Sequence, residues 1–264
     1  MDYSPPSPGS TQVVSRPTHP DTEPHFDIQT GIREVLGGKG MTVQFQPIFD
    51  LGAWLVGTKR AVGYEALARF QLPVAPDIWF REAARMGLGA ELELAAIRTA
   101  VSYLPQIPPG AFLTVNISPE TARSLTNLDW FHRLPLRRMV IEISEEATID
   151  DYETFRNALD GLRAKGLKVA VDDVGAGLVS LKHLVMLPHD IIKLDLDVVR
   201  GVDTNHNCQA MVAALLALAR ASDTQVIAEG IETSDELVSL VDLGVAYGQG
   251  YYLAHPGPLP QPPG

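Results

Sequence analysis

"KVAVDDVGAG", residues 168–177, decides how the chain is read. An apolar run without strict alternation ends in two adjacent aspartates, Asp172 and Asp173, and a glycine-rich turn follows at once. Such a run reads as a strand covered on both faces, the signature of a parallel sheet. Successive side chains of a strand point to opposite faces. Adjacent carboxylates also repel, so one tends to hold a proton. The pair is tolerable where the strand frays: the glycines then let both carboxylates turn toward a common site, and cations share them.

Working outward, eight strand-like segments occur: MTVQFQPIF (41–49), AVGYEALARF (61–70), FLTVNIS (112–118), MVIEIS (139–144), LKVAVDDV (167–174), DIIKLDL (190–196), TQVIAEGI (224–231) and GQGYYLA (248–254). Between most of them lie stretches with apolar residues at three- and four-residue steps: 90–104, 120–134, 149–166, 207–221 and 233–244. These predict helices, and several end at glycine, as C-caps often do. Strand and helix in alternation predict an α/β fold, a (β/α)8 barrel, with a doubly wound open sheet as the structural alternative.

Length and composition are compatible. The 264 residues are 45% hydrophobic and 20% charged, enough for one large barrel or two small domains. A formal net charge of −11 argues against tracking a polymeric nucleic acid. One cysteine, Cys208, excludes a disulfide framework or a thiolate cluster within the chain and fits a reducing cytoplasm. The start, MDYSPPSPGSTQ, has neither the basic end nor the apolar core of a signal peptide. MVAALLALA at 211–219 is too short to span a bilayer, so the chain reads as cytoplasmic without membrane insertion. Residues 1–27, rich in Pro, Ser and Thr, read as a disordered tail or a linker, and the barrel as 31–260.

Chemistry in such a barrel belongs at the C-terminal ends of the strands. Those ends are unusually polar. Strand two runs out through Glu65 and Arg69, strand three ends at Asn116, and strand four at Glu142 with Glu145 just beyond. Strand five ends in the aspartate pair, strand six carries Lys193 and Asp195, strand seven Glu229 with Glu232 after it, and strand eight opens with Gln249. One acid at a strand end is ordinarily a helix N-cap or a solvated turn. Acids on successive strands converging on one mouth repel unless cations neutralise them. Oxygen-rich sets of Asp, Glu and Asn suit Mg²⁺, Mn²⁺ or Ca²⁺, and paired ions serve in-line displacement at phosphorus. "GGKG" at 37–40 lacks the spacing of a phosphate loop, and the histidines form no HxH or HExxH pattern.

The motifs "GYEALAR" (63–69), "VNIS" (115–118), "IEISE" (141–145), "DDVGAG" (172–177), "IKLD" (192–195), "AEGIET" (228–233) and "GQGYYLA" (248–254) resemble, in order and spacing, those of EAL-domain cyclic-di-GMP phosphodiesterases. The resemblance implies a modified (β/α)8 TIM-type barrel with an antiparallel first strand. It implies hydrolysis of cyclic di-GMP to linear pGpG with two Mg²⁺ or Mn²⁺ ions, by a homodimer. Carried over by motif, Glu65, Asn116, Glu142 and Asp172 would hold one ion, and Asp172, Asp173 and Glu229 the second. Lys193 would contact the attacking water as general base or positioner, Gln249 would help place that water, and Glu65 and Glu229 belong to the same catalytic group. Leu67, Arg69 and Asp195 would contact substrate, while Glu145 and Glu232 would support the site. Three departures stand out: Val174 in place of an aromatic, Leu178 and Val179 in place of an aromatic and a serine, and His255 in place of Lys or Arg.

Two rival readings remain. A silent receptor would bind cyclic di-GMP without cutting it, but such members lose ligands or the lysine, and this chain keeps them all. A glycoside hydrolase would use two carboxylates in a barrel, which leaves Asn116, Lys193 and the aspartate pair unexplained.

Overall fold

The structure, a computed structural model, describes residues 27–144, 147–175 and 182–260. The tail expected at 1–27 lies, but for Asp27, outside the described residues, as do Glu145, Leu178 and Val179.

The strands β1 (Met41–Asp50), β2 (Ala61–Phe70), β3 (Phe112–Asn116), β4 (Met139–Ser144), β5 (Lys168–Val174), β6 (Ile191–Leu194), β7 (Gln225–Ala228) and β8 (Tyr247–Gly248) close into a barrel in chain order. β1 runs antiparallel to both of its neighbours, β2 and β8, and the other pairings are parallel. Around and between them lie α1 (Ile28–Leu36), α2 (Leu51–Leu55), α3 (Pro76–Arg85), α4 (Gly89–Val101), α5 (Pro119–Leu125) and α6 (Asp129–His132). Then follow α7 (Tyr152–Arg163), α8 (Lys182–Met186), α9 (Leu196–Val199), α10 (His206–Ala221) and α11 (Ser234–Leu243).

Local chemistry sets the helix ends. Pro76 opens α3, where its missing N–H costs nothing. Thr233 and Glu236 form a reciprocal capping box on α11, and Gly244, at φ 99°, closes it in the left-handed conformation. The single helix expected over 120–134 is two, because the chain turns through Thr126–Leu128, where the Thr126 hydroxyl donates back to Arg123 O at 2.8 Å. Strand eight is shorter than expected: pairing stops at Gly248, and Gln249 onward is a turn.

Helix faces pack on the outside of the barrel, with Phe131, Phe155 and Trp79 fully buried. Truncating a ring of this kind to alanine costs about 3–5 kcal/mol. Inside the barrel, Ile48, Val140, Ala170, Ile191 and Ile227 form an apolar floor. At Gly63 on β2, an added Cβ would lie 2.4 Å from the Phe112 ring, so only glycine lets that ring pack into the floor.

Candidate active site

Strand periodicity builds the site directly on this floor. Residues two apart on a strand share a face. Glu142 therefore stands above Val140, Asp172 above Ala170, Lys193 above Ile191 and Glu229 above Ile227, all toward the C-terminal mouth. Glu65 follows Gly63 in the same way, and antiparallel pairing sets Gln46 of β1 opposite Glu65. All but Glu229 in this layer are buried.

Lys193 Nζ lies 2.6 Å from Glu229, 3.0 Å from Glu142, 3.1 Å from Asp172 and 3.5 Å from Glu65. Gln249 Nε2 donates to Glu65 Oε2 at 2.5 Å and to Glu229 Oε1 at 3.0 Å, and Asn116 Nδ2 donates to Glu65 Oε1 at 2.9 Å. Burial alone would lower the Lys193 ammonium; Asp172, Glu142, Glu229 and Glu65 reverse that and hold it well above the usual lysine value. Burial likewise drives Glu142 and Glu229 well above the usual range, with the neighbouring acids adding to it against the pull of Lys193. Asp172 is raised by burial to about 6. Burial would raise Glu65 too, but Lys193 and the Gln249 and Asn116 amides bring it below its ordinary value. One ammonium thus cannot offset the carboxylates gathered around it.

The aspartate pair reaches this cluster by a device the sequence did not reveal, in addition to the glycine turn. Asp173 itself takes the left-handed conformation, at φ 58°. Along β5 and β6, Val171 pairs with Ile192 and Val174 with Leu194, so three steps on β5 face two on β6. That is a bulge at Asp172–Asp173, and it breaks the alternation that would send the two carboxylates to opposite faces. The turn expected of the glycines is shared: Gly175, at φ 106°, also takes a positive φ, and the left-handed aspartate and the bulge come before it. Asp172 Oδ1 accepts from Asp173 N at 3.0 Å, and Ser144 Oγ donates to Asp173 Oδ2 at 3.2 Å.

The acids fall into two sets, Glu65, Glu142 and Asp172, and Asp172, Asp173 and Glu229. Within each, one oxygen per residue lies within 4.8 Å of the others, and Asp172 belongs to both. Glu142 is fully buried, yet its two oxygens find no well-aligned hydrogen-bond donor. A hard divalent cation is the partner that such oxygens fit. Asn116, at the exposed rim, gives its amide nitrogen to Glu65, which leaves Oδ1 as its ligating atom.

The other expected residues are placed as follows. Leu67 and Arg69, half-buried on β2, line a cavity of about 300 Å³ with Phe80 and Asn116. Arg69 Nε donates to Gln44 Oε1 at 2.8 Å, and Nη1 to Ala68 O at 3.0 Å. The Asp195 carboxylate caps α9, accepting from Asp197 N at 2.7 Å. Glu232 is exposed and pairs with Arg200 at 3.2 Å, outside the acid cluster. Glu145 lies outside the described residues. Gln46 and Ser144 were not foreseen, since only the register of β1 on β2 and the bulge on β5 bring them to the site. Glu236 was missed as well. Its buried carboxylate accepts from Gly201 N (3.0 Å), Glu232 N (2.9 Å) and Thr233 N (3.1 Å), so it ties down the segment after β7; its place three residues after Thr233, the Thr-x-x-Glu of a capping box, was the available signal.

A mixed eight-stranded barrel whose acid-lined mouth is suited to cations defines the class of domain. The EAL domain family model matches residues 30–256, and the chain belongs to that family. Among curated relatives it is similar to "Probable cyclic di-GMP phosphodiesterase PdeA" of Escherichia coli K12, 30% identical over 242 residues, 86% of this chain and 32% of the relative. It spans about a third of the length of the curated relatives it matches. Among solved structures it resembles the EAL enzyme Bd1971 in its cAMP and cyclic-di-GMP bound form, with TM-score 0.76, 25% identity, 88% of this chain and 66% of that one. It also resembles Klebsiella pneumoniae BlrP1 in a manganese and cyclic-di-GMP complex, with TM-score 0.72, 28% identity, 83% of this chain and 57% of that one. No helix among the described residues is long and apolar enough to cross a membrane.

Proposed function

We propose that the chain is an active phosphodiesterase that hydrolyses one phosphodiester of cyclic di-GMP to give linear pGpG. The observation that carries this reading is the convergence of Glu65, Glu142, Asp172, Asp173 and Glu229 on Lys193, with no ligand of the implied set replaced. A receptor that only binds has no use for a buried lysine held among acids. Family resemblance and the manganese and calcium complexes of BlrP1 support two divalent cations, Mg²⁺ or Mn²⁺. When bound, they would acidify water and offset the charge that builds up at phosphorus.

The chain's own residues carry the remaining work. Glu65, Asn116, Glu142 and Asp172 would form one ion site, and Asp172, Asp173 and Glu229 the other. Gln249, held through Nε2 by Glu65 and Glu229, keeps its buried Oε1 to orient the attacking water. Lys193, held as an ammonium by the acids around it, positions that water and would take its proton only once bound cations lower its pKa. Arg69 and Leu67 hold the substrate beside Asn116, and Asp195, near enough to Asp173 to add to the burial that raises its carboxyl, contacts substrate at the same mouth. Water oxygen bonds to phosphorus, the P–O3′ bond breaks, and the 3′ oxygen leaves as a hydroxyl after taking a proton. The barrel at 31–260 is the working unit, 1–27 is a tail or linker, and the protein acts as a cytoplasmic homodimer.

Incubation with cyclic di-GMP and Mg²⁺ or Mn²⁺, with the products resolved by chromatography, tests the proposal. pGpG formation that stops in chelator is expected. Tight metal-dependent binding without pGpG would establish the receptor reading instead.

A further inference from the structure

We propose that the closed end of the barrel, opposite the acid-lined mouth, is a docking surface for an anionic lipid bilayer. β1 runs antiparallel to its neighbours, and its last residue, Asp50, pairs with Tyr247 at the start of β8. α2 and the turn into β2 therefore lie at the end where the parallel strands begin. That turn carries Leu55 and Val56, 46% and 81% exposed, beside the half-buried Trp54. An isolated apolar side chain on a surface is ordinary, but these two adjoin each other and an indole. Lys59 Nζ lies 4.6 Å from the centre of the Trp54 ring, and Arg60 follows it. An apolar tip with an indole and cations around it is the composition of a segment that sits at a membrane–water boundary.

The basic character continues along the same end. Arg60 Nη2 donates to Pro109 O at 3.4 Å and Arg138 Nη2 to Pro108 O at 3.0 Å, so the segment before β3 joins the entries of β2 and β4. A Cβ built on Gly166 would lie 2.4 Å from Arg137 Cγ, which sets Arg137 against the entry of β5. There Lys165 Nζ lies 2.9 Å from His132 Nδ1, and Lys168 opens β5 opposite Val140. Lys59, Arg60, Arg133, Arg137, Lys165 and Lys168 are all exposed. The segments that carry them, 55–60, 133–138 and 165–168, contain no Asp or Glu, in a chain with 32 such residues. Asp50 and Asp190, at the same end, are engaged: Asp50 accepts from Ala53 N at 2.8 Å, and Asp190 pairs with Arg163 at 2.6 Å. Asp223, before β7, and Asp242, before β8, belong to the other half of the ring.

A helix C-terminus attracts a cation, which covers Arg133 after α6 and Lys165 after α7. It does not cover Lys59, Arg60, Arg137 or Lys168. The barrel thus gathers acids at its mouth and cations at its closed end. An anionic bilayer draws in the cations and repels the mouth, so it takes the closed end and leaves the acid cluster facing solvent. A polymeric nucleic acid would answer the same cations but has no use for the apolar tip at Leu55 and Val56.

The test is co-sedimentation of the full chain with vesicles of phosphatidylglycerol and phosphatidylcholine in equal parts, and with vesicles of phosphatidylcholine alone. Partition onto the anionic vesicles is expected, falling as salt is raised. Each cation at the surface changes partition about fivefold, so Lys165→Ala combined with Lys168→Ala is expected to weaken it about 25-fold. Val56→Ser is expected to weaken it on the order of tenfold. Arg81→Ala combined with Arg85→Ala removes two cations that are paired with acids on α3, and should stay within about twofold of wild type. Circular dichroism checks that each variant is folded. No sedimentation with either vesicle, equal sedimentation with both, or wild-type partition in the Lys165 and Lys168 variant overturns the proposal. Wild-type partition in Val56→Ser overturns the choice of a bilayer, and an equal loss in the α3 variant overturns the choice of this face.

Discussion

Replacing Asp173 by a graded series separates the backbone device from the chemistry. Its φ of 58° places an L-residue in the left-handed region, which costs about 1–2 kcal/mol for a side chain without Asp or Asn character. Asp173→Gly removes that cost but loosens the unfolded chain by about 0.5–1 kcal/mol. Asp173→Ala keeps the cost. Both lose the same hydrogen bond from Ser144 Oγ, so it cancels between them. The difference leaves glycine ahead of alanine by about 0.5–1 kcal/mol, or about 1–4 °C in Tm for a domain of this size. At an ordinary strand position the order is the reverse, with glycine about 0.5–1 kcal/mol behind. Burial also pushes the Asp173 carboxyl above its ordinary value, so the ionised group opposes folding at neutral pH and Asp173→Asn should melt no lower than wild type. Thermal melts in chelator at neutral pH read the order, and product formation in Mg²⁺ should fall in all three variants. Alanine as stable as glycine would sink the left-handed turn, and with it the explanation of how adjacent aspartates face one site.

Asp172, shared by both acid sets, is expected to tolerate amidation least: Asp172→Asn should lower pGpG formation by more than about 10³-fold with no recovery in raised Mn²⁺, whereas Asp173→Asn recovers part of its rate in the same titration. Equal recovery would remove Asp172 from its bridging place. Glu236→Gln is expected to cost about 2 kcal/mol, or about 4–8 °C in Tm, because a buried carboxylate loses charge toward three N–H donors. Burial alone would raise Glu236, but the Gly201, Glu232 and Thr233 N–H groups bring it below its ordinary value. A depressed acid stabilises above its unfolded pKa and loses that contribution as pH falls through the folded one. Wild type and Glu236→Gln should therefore differ most at neutral pH and converge in acid below the ordinary glutamate range; a gap that is constant with pH would contradict this.

Much of the barrel was legible because each strand is a short apolar run with its own boundaries. Val140–Ile141, Val169–Val171 and Ile191–Ile192 signal buried strands without help from their partners. Elements that depend on partners were not. α1 and α3 were passed over, although Ile32, Val35, Trp79 and Ala83 make a small core of their own with Leu92, because that core exists only once the three helices meet. Strand eight looked seven residues long because "GQGYYLA" carries a strand-like aromatic and apolar run, Tyr251–Ala254; pairing with β1 and β7 ends at Gly248, and the following residues are held by Ile231 instead. A local pattern carries the apolar character of a segment, not the identity of its hydrogen-bond partner.

The site divides along the same line. Glu142, Asp172, Lys193 and Glu229 each sit two residues beyond a floor position, and Glu65 two beyond Gly63, so the period of the strand and the rule that barrel chemistry lies at the C-terminal mouth were enough to gather them. The adjacent aspartates were the exception, since strict alternation sends neighbours apart. Their placement requires a bulge, which is a mismatch between two strands and cannot be seen in either alone. Gln46 is the companion case: it enters the site through an antiparallel register that sets it against Glu65, nineteen residues on across a helical turn. The one reversed strand is therefore more than a topological variation. It sets a polar side chain, Gln46, opposite Glu65 on the β1 wall of the mouth, a placement that follows from the register between the two strands and not from the pattern of either one alone.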